Sequence, residues 1–336
     1  MDFVLTIARR LATAAPILLV VSALLFTALR VLPVDPAAMS MPPNATTEEI
    51  EAARRDMGLD RPLPEQYATW LARAAHGDFG RSIHLRRDAR GLVGETLPGT
   101  IELAVAAMLV AAALGLGGGL LLFALRDRTL EPIAETATTL LMSIPEFLWA
   151  LLFIFVFGVL LQSMPFTGRL APGLQRPDIT GFLLLDAVLA ARPDILASAL
   201  VHLTLPAIAL GLAFAPPIMR VLRASLLDTY HDDYIRQARL RGLSETRILL
   251  RHALKNAILP TLTLVGVQFG FLFGGSLLVE VIYSYPGMGN LMVDAVRNAD
   301  LPVIQVVGLT YCVVVLLINS VVDGLYFVLN PRLRAR

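Results

Sequence analysis

Lysine and cysteine are almost absent from this 336-residue chain. Cys312 stands alone, so no internal disulfide and no cysteine-held metal cluster can form. It lies in an apolar run, where a lone thiol reads as a small buried hydrophobe. Lys255 is the only lysine and sits between Leu254 and Asn256. No G-x-x-x-x-G-K-[ST] occurs, so the chain cannot cradle ATP in a P-loop. Neither H-E-x-x-H nor G-x-S-x-G is present, and His76, His84, His202, His231 and His252 lack metal-ligand spacing. Hydrolysis by the chain alone is not expected, and neither a cofactor nor a metal site is expected in it. Only 16% of residues are charged, too few for an ordinary soluble domain.

What is abundant is apolar sequence, at 56% of residues. The expected class is all-α, a polytopic membrane protein. Leu11 to Leu29 is uninterrupted and apolar, bounded by Arg9, Arg10 and Arg30. It exceeds the core of a cleaved signal peptide and matches the roughly 20 residues of a span. Five more spans are expected at about 101–125, 133–161, 195–219, 257–282 and 302–329, making six transmembrane helices. Both termini then share a side. Arg126, Arg128, Arg332, Arg334 and Arg336 fall on the side of Arg9 and Arg10, whereas the short loop 283–301 carries only Arg297. The excess of arginine places both termini in the cytoplasm. The expected organisation is 1–32 as N-terminus and first span, 33–97 as an extracytoplasmic loop domain with short helices, and 98–336 as a five-helix core.

Within the outer segment, Thr46 and Glu49 have capping-box spacing before a helix that can stop at Gly58. A second helix fits 64–75, stopped by Gly77, with Tyr67, Trp70 and Leu71 as its apolar face. The spans carry Gly115, Gly117, Gly118, Gly119, Pro145, Pro206, Pro216, Pro217, Gly270, Gly274 and Gly275, which permit close packing or kinks. Glu146 follows Pro145 within the third span, where an ionised carboxylate is costly. It reads as facing water or protein, either as a structural partner or as a pathway residue attracting cations.

The stretch 229–260 is the most structured polar segment between spans. Asp232 and Asp233 open one helical segment, and Arg239 and Arg241 close it, matching acid-first, base-last dipole complementarity. Gly242 stands where a left-handed helix stop is favoured. Ser244 is placed to cap a second helix, with Glu245 in its first turn and Arg251 and Lys255 in its last. The reading is a helix–Gly–helix elbow on the membrane surface. Its few aromatics argue against nucleic acid as a partner.

At this elbow, Asp233-Tyr234, Ala238-Arg239 and Gly242-Leu243 resemble the coupling loop of ABC importer permeases. More narrowly, the chain resembles the first (B-type) permease subunit of the dipeptide/oligopeptide/nickel family. Arg236 and Gln237 stand where the general loop has Glu-Ala, and Leu254-Lys255 where Leu-Pro is usual. Pro33-Val34-Asp35-Pro36, Gly58 to Pro62, Gln66-Tyr67, Gly77-Asp78, Gly80, Ser143-Ile144-Pro145 and His202 extend the resemblance. So do Gly274-Gly275-Ser276, Glu280, Tyr285-Pro286-Gly287, Gly289, Asp300, Asn319, Asp323, Tyr326 and Asn330-Pro331-Arg332. The resemblance implies the type I ABC importer permease fold, with a cytoplasmic coupling loop over 229–256. It implies a bacterial inner membrane location, a second homologous permease, two ATP-binding subunits holding ATP and Mg, an extracytoplasmic solute-binding protein and contact with membrane lipid. The coupling residues are then Asp233, Tyr234, Ala238, Arg239, Arg241, Gly242, Leu243, Ser244 and Glu245. Glu146, Glu280, Pro286 and Gly287 are candidates for pathway or gate, and Arg61 and Asp78 for docking the binding protein.

The expected function is a permease subunit for di- and oligopeptides. The alternatives are the same machine for a nickel chelate, glutathione or an opine, or an ion-coupled secondary transporter, which should carry more mid-membrane carboxylates. A membrane enzyme lacks a catalytic constellation, and a pure scaffold would not co-purify with nucleotide-binding subunits.

Overall fold

The computed structural model describes the backbone of residues 2–31, 35–42 and 44–329; the side chains of 2–13, 323 and 325–329 lie outside the described residues. Pro33, Val34 and the basic tail from Asn330 onward lie outside them too. Among the described residues there is no strand, only one isolated bridge between Arg81 and Asp88. In chain order the helices are α1 (Asp2–Val31), α2 (Pro36–Ser40), α3 (Thr47–Asp56), α4 (Leu63–Ala75), α5 (Ala89–Ala124) and α6 (Glu131–Ser143). Then come α7 (Glu146–Phe153) with a π-helical continuation (Ile154–Leu160), α8 (Leu183–Leu189), α9 (Pro193–Tyr230) and α10 (Asp233–Leu240). α11 (Glu245–Arg247) passes through a π-helical stretch (Ile248–Ala253) into α12 (Leu254–Ile282), followed by α13 (Met288–Arg297) and α14 (Leu301–Leu329).

Five of these are individually long and apolar enough to cross a membrane: α1, α5, α9, the run Glu245–Ile282, and α14. A sixth crossing exists only if α6 and the run Glu146–Leu160 count as one span, because the two are bent by 94°. The break falls inside the expected span 133–161, at the proline expected to permit a kink, and is sharper than a kink. Ile144, forced away from the helical region by the following proline, is extended at φ −95° and ψ 115°, and Pro145 follows at ψ 154°. Pro145 ends one helix and starts another rather than kinking a single one. Pro206, Pro216 and Pro217 behave differently and lie inside the uninterrupted 38-residue α9.

Contacts divide the chain into two compact units, Met1–Gly99 with Pro286–Leu316, and Thr100–Tyr285 with Leu317–Arg336. In the first, Thr46 and Glu49 form the capping box of α3, with Thr46 N donating to Glu49 Oε2 at 2.7 Å and Glu49 N to Thr46 Oγ1 at 3.3 Å. α3 and α4 are followed by Gly58 and Gly77 at φ 66° and 81°. Tyr67 and Trp70 pack on Phe26 of α1, with centroids 5.5 and 5.6 Å away. The buried carboxylate of Asp300 accepts from Ser82 Oγ and from the amides of Ile83 and His84, both at 3.1 Å. It holds the loop before α5 against the start of α14.

In the second unit α9 is the hub, packing on α6, α7, α8 and α12. A glycine seam brings α5 against it. A Cβ at Gly115 would stand 2.5 Å from Ile218, one at Gly118 2.7 Å from Met219, and one at Gly119 2.9 Å from Leu222. Here glycine permits the close approach typical of helices in a membrane. At about 1.5 Å per residue, the 38 residues of α9 run to roughly 57 Å, against about 30 Å of hydrocarbon. α9 is therefore longer than a single crossing requires.

Candidate functional site

The elbow is built from the end of α9 outward. α10 begins with Asp233 in its first turn, after Asp232 in extended conformation. It ends in a Schellman motif: Leu243 N donates to Ala238 O at 3.3 Å and Gly242 N to Arg239 O at 2.9 Å, with Gly242 at φ 74°. One face of the elbow is anchored. Ile235, Ala238 and Ile248 are buried with Phe123, Leu222, Leu226, Ala253 and Ala257, and Tyr234 and Leu243 pack on the same cluster. The other face is open, carrying Arg236, Gln237, Arg239, Arg241 and Leu240, which is 82% exposed.

Polar ties close the turn. Arg239 forks onto Glu245, with Nε donating to Oε1 at 2.6 Å and Nη2 to Oε2 at 3.3 Å. Arg239 also lies over Tyr230 at 5.3 Å, and Arg126 lies over both Phe123 and Tyr230 at 3.8 and 4.9 Å. Asn256 Nδ2 donates to Tyr234 Oη at 2.8 Å, linking α10 to α12. All nine expected coupling residues thus share one site. Two local expectations are corrected. Ser244 takes the N-cap backbone position, yet its side chain makes no capping bond. The second arm has no end near Lys255, because it continues through the π-helical stretch into α12. No glycine or proline interrupts 245–259, so nothing stops a helix there. Arg251 and Lys255 consequently do not complement a helix C-terminus.

The pathway candidates have separate settings. Glu146 opens α7, half-buried, and forms no hydrogen bond or ion pair among the described residues. Its Oε1 would stand 3.5 Å from a Cβ at Gly275, whose other neighbour is Phe214. Glu280 is fully buried in α12, within reach of Ser276 Oγ at 3.3 Å. Pro286 is exposed, and Gly287 is the buried N-cap of α13. Arg61 and Asp78 flank α4, whose 13 residues separate them by about 20 Å. Asp78 accepts from Arg73 Nε at 2.8 Å and from Gly80 N at 3.0 Å, and these bonds, Arg73's first, hold its carboxyl below the usual range.

Sequence reasoning missed three groups. Arg126, Tyr230 and Asn256 complete the elbow, and their nearness to it was the available signal. The buried pair Glu102 and Arg169 is 67 residues apart in sequence, with Leu184 N also donating to Glu102 Oε1 at 2.8 Å. Asp186 in α8 accepts from Thr180 N, Thr180 Oγ1, Ile179 N and Gly181 N at 2.6 to 3.3 Å. Burial pushes this carboxyl up, and the four bonds together outweigh it, leaving its pKa lowered. No local motif announces either the pair or this turn.

Comparison with known proteins adds descent to geometry. The family described as binding-protein-dependent transport system inner membrane component matches residues 112–335, and its N-terminal companion matches 3–103. The di/tripeptide transport system permease protein DppB of Pseudomonas aeruginosa (strain UCBPP-PA14) is 37% identical over 329 residues, 98% of each chain. The glutathione transport system permease protein GsiC of Escherichia coli (strain K12) is 36% identical over 326 residues, 97% of each. An inward-facing structure of the MetNI methionine ABC transporter shares the fold at TM-score 0.55 and 16% identity, covering 71% of this chain and 96% of that one. With both segments matched and relatives aligned end to end, this chain belongs to the family of binding-protein-dependent transport system inner membrane components, multi-pass permeases and not enzymes.

Proposed function

We propose that the chain is one of two permease subunits of an ATP-driven ABC importer for di- and oligopeptides. The observation carrying the solute class is the end-to-end similarity to a di/tripeptide permease. The observation supporting ATP drive is the elbow, a rigid and anchored corner with an exposed tip. Two ATP-binding subunits holding ATP and Mg press on Leu240 and its arginines, and a binding protein delivers solute from the other side. Both termini and 229–256 lie in the cytoplasm, and 33–97 lies outside. A second reading, glutathione as solute, is favoured by the nearly equal identity to GsiC.

The test is reconstitution. The chain is co-purified with the second permease and the nucleotide-binding subunits, placed in proteoliposomes with the binding protein, and offered labelled dipeptide or glutathione. ATP-dependent dipeptide uptake is expected. Uptake of glutathione alone selects the second reading, and failure to co-purify any nucleotide-binding subunit overturns the importer reading.

A further inference from the structure

A cavity of ≈ 570 Å³ in the first unit is lined by Leu29, Arg30, Asp35, Arg54, Arg61 and Gln66, among others. Its size is that of a small-ligand site. Of its three arginines, Arg54 is already matched: Nη2 donates to Asp35 Oδ2 at 2.9 Å, and Asp35 also caps α2 through Ala37 N at 3.0 Å. Arg30 and Arg61 have no carboxylate partner among the described residues.

Arg30 is half-buried, and its guanidinium lies over the Phe26 ring, 5.2 Å from the centroid. Its Nε is buried with no hydrogen-bond partner among the described residues. The Gln66 amide is fixed because its nitrogen donates to Leu59 O and Arg61 O at 3.3 and 2.8 Å. That leaves Gln66 Oε1, an acceptor, buried and unpartnered among the described residues, a place for a headgroup hydroxyl rather than for the phosphate itself. A guanidinium stays charged, so a partly desolvated one without a counter-ion is costly. An oxyanion in the cavity offsets that cost, and phosphate suits the forked donors best.

Depth identifies the source of the phosphate. Arg30 lies at the end of the apolar run Ala14–Val31, where hydrocarbon gives way to headgroups. Tyr67 and Trp70, stacked beside Phe26 one turn earlier, are the residue types that mark this level. Val31, 73% exposed, and Leu63, 46% exposed, supply apolar surface nearby.

We propose that this cavity is a phospholipid headgroup site in which Arg30 and Arg61 hold the phosphate diester. The assignment requires the chain to sit in a membrane and is independent of the solute it carries.

The full chain, delipidated in detergent, is titrated with phosphatidylglycerol and followed by native mass spectrometry. One lipid should be retained above the rest. Arg30→Gln with Arg61→Gln should weaken its apparent affinity about tenfold, and Arg61→Gln alone, on an exposed loop, roughly threefold. Arg176→Gln, an exposed arginine of the other unit, should change nothing. Equal retention by wild type and both Arg61 variants overturns the site. Displacement of the lipid by millimolar inorganic phosphate overturns the lipid assignment in favour of a free oxyanion. Loss of binding-protein docking in Arg61→Gln with lipid retention intact assigns the arginines to a protein interface and overturns the proposal.

Discussion

Gly242 is the hinge on which the coupling proposal can be tested quantitatively. It sits at φ 74°, and two bonds depend on that conformation, Gly242 N to Arg239 O at 2.9 Å and Leu243 N to Ala238 O at 3.3 Å. A Cβ there meets nothing within 4 Å, so within this chain any cost of substitution is conformational rather than steric. Alanine should cost about 1 kcal/mol, reducing the population of the intact elbow roughly fivefold relative to its open forms. Valine is excluded from this region by its branched Cβ, so the turn must open and forfeit both bonds, each worth about 1 kcal/mol net. Asparagine tolerates the left-handed region and should be nearly neutral. The expected order of defect is Asn, then Ala, then Val. In the reconstituted importer, solute moved per ATP hydrolysed should fall in that order, with insertion of the subunit unchanged. Hydrogen exchange over 238–243 should accelerate in the same order. Normal coupling in Gly242→Val would show that the elbow angle does not matter. Equal defects for Asn and Val would refute the conformational argument and show that a partner needs the empty space beside Gly242.

Three other perturbations test separate features. A cysteine at Thr47 should be labelled by an impermeant thiol reagent in intact cells and one at Ser244 only after permeabilisation, since both positions are exposed; outside labelling at Ser244 reverses the orientation. Glu146→Gln should lower transport of cationic peptides more than neutral ones with assembly intact, whereas an equal loss for all solutes makes the residue a structural partner. Asp186→Asn should destabilise the loop 162–192 by about 1–3 kcal/mol. Because the folded pKa of Asp186 is lowered, its contribution is complete above the unfolded carboxylate value of about 3.9 and disappears as pH falls through the folded value. Pepsin should therefore cut the variant's loop faster than the wild type's near pH 4, with the difference shrinking in stronger acid; equal rates throughout would count against the stabilising role.

What was legible in the sequence was what local rules determine. Thr46 and Glu49 satisfy each other within one turn, and Gly242 has the single conformation its neighbours leave open. Apolar length located five spans because a bilayer imposes that length. Illegible features required partners distant in the chain. Glu102 could be recognised as a buried ion-pair member only once folding brought Arg169 to it. The second arm of the elbow runs on past 251–255, where basic residues resemble a helix end, because charge is a weak signal beside the absence of any breaker.

The break between α6 and α7 shows how proline acquires meaning from its surroundings. Pro206, Pro216 and Pro217 leave α9 intact, and one hydroxyl, Thr204, bonds back to the preceding turn near them, to Leu200 O at 2.8 Å. α6 instead carries four such back-bonds, from Thr136, Thr138, Thr139 and Ser143 to carbonyls four residues earlier, at 2.7 to 2.9 Å. These bonds compete for the carbonyls and favour bending. Both pieces are also held independently. Arg223 pairs with Glu131 and, at 2.8 Å, with Glu135, while Arg220 Nη2 donates to Thr139 Oγ1 at 2.7 Å, so α6 is fastened to α9. α7 packs on α9 and on α12. Hydroxyl back-bonding weakens the helix ahead of Pro145, and the separate anchors hold its halves at 94°. The free start of α7 is thereby fixed where Glu146 faces Gly275. A proline in an apolar span is thus better judged by the hydroxyls preceding it and the anchors on each side than by its presence alone.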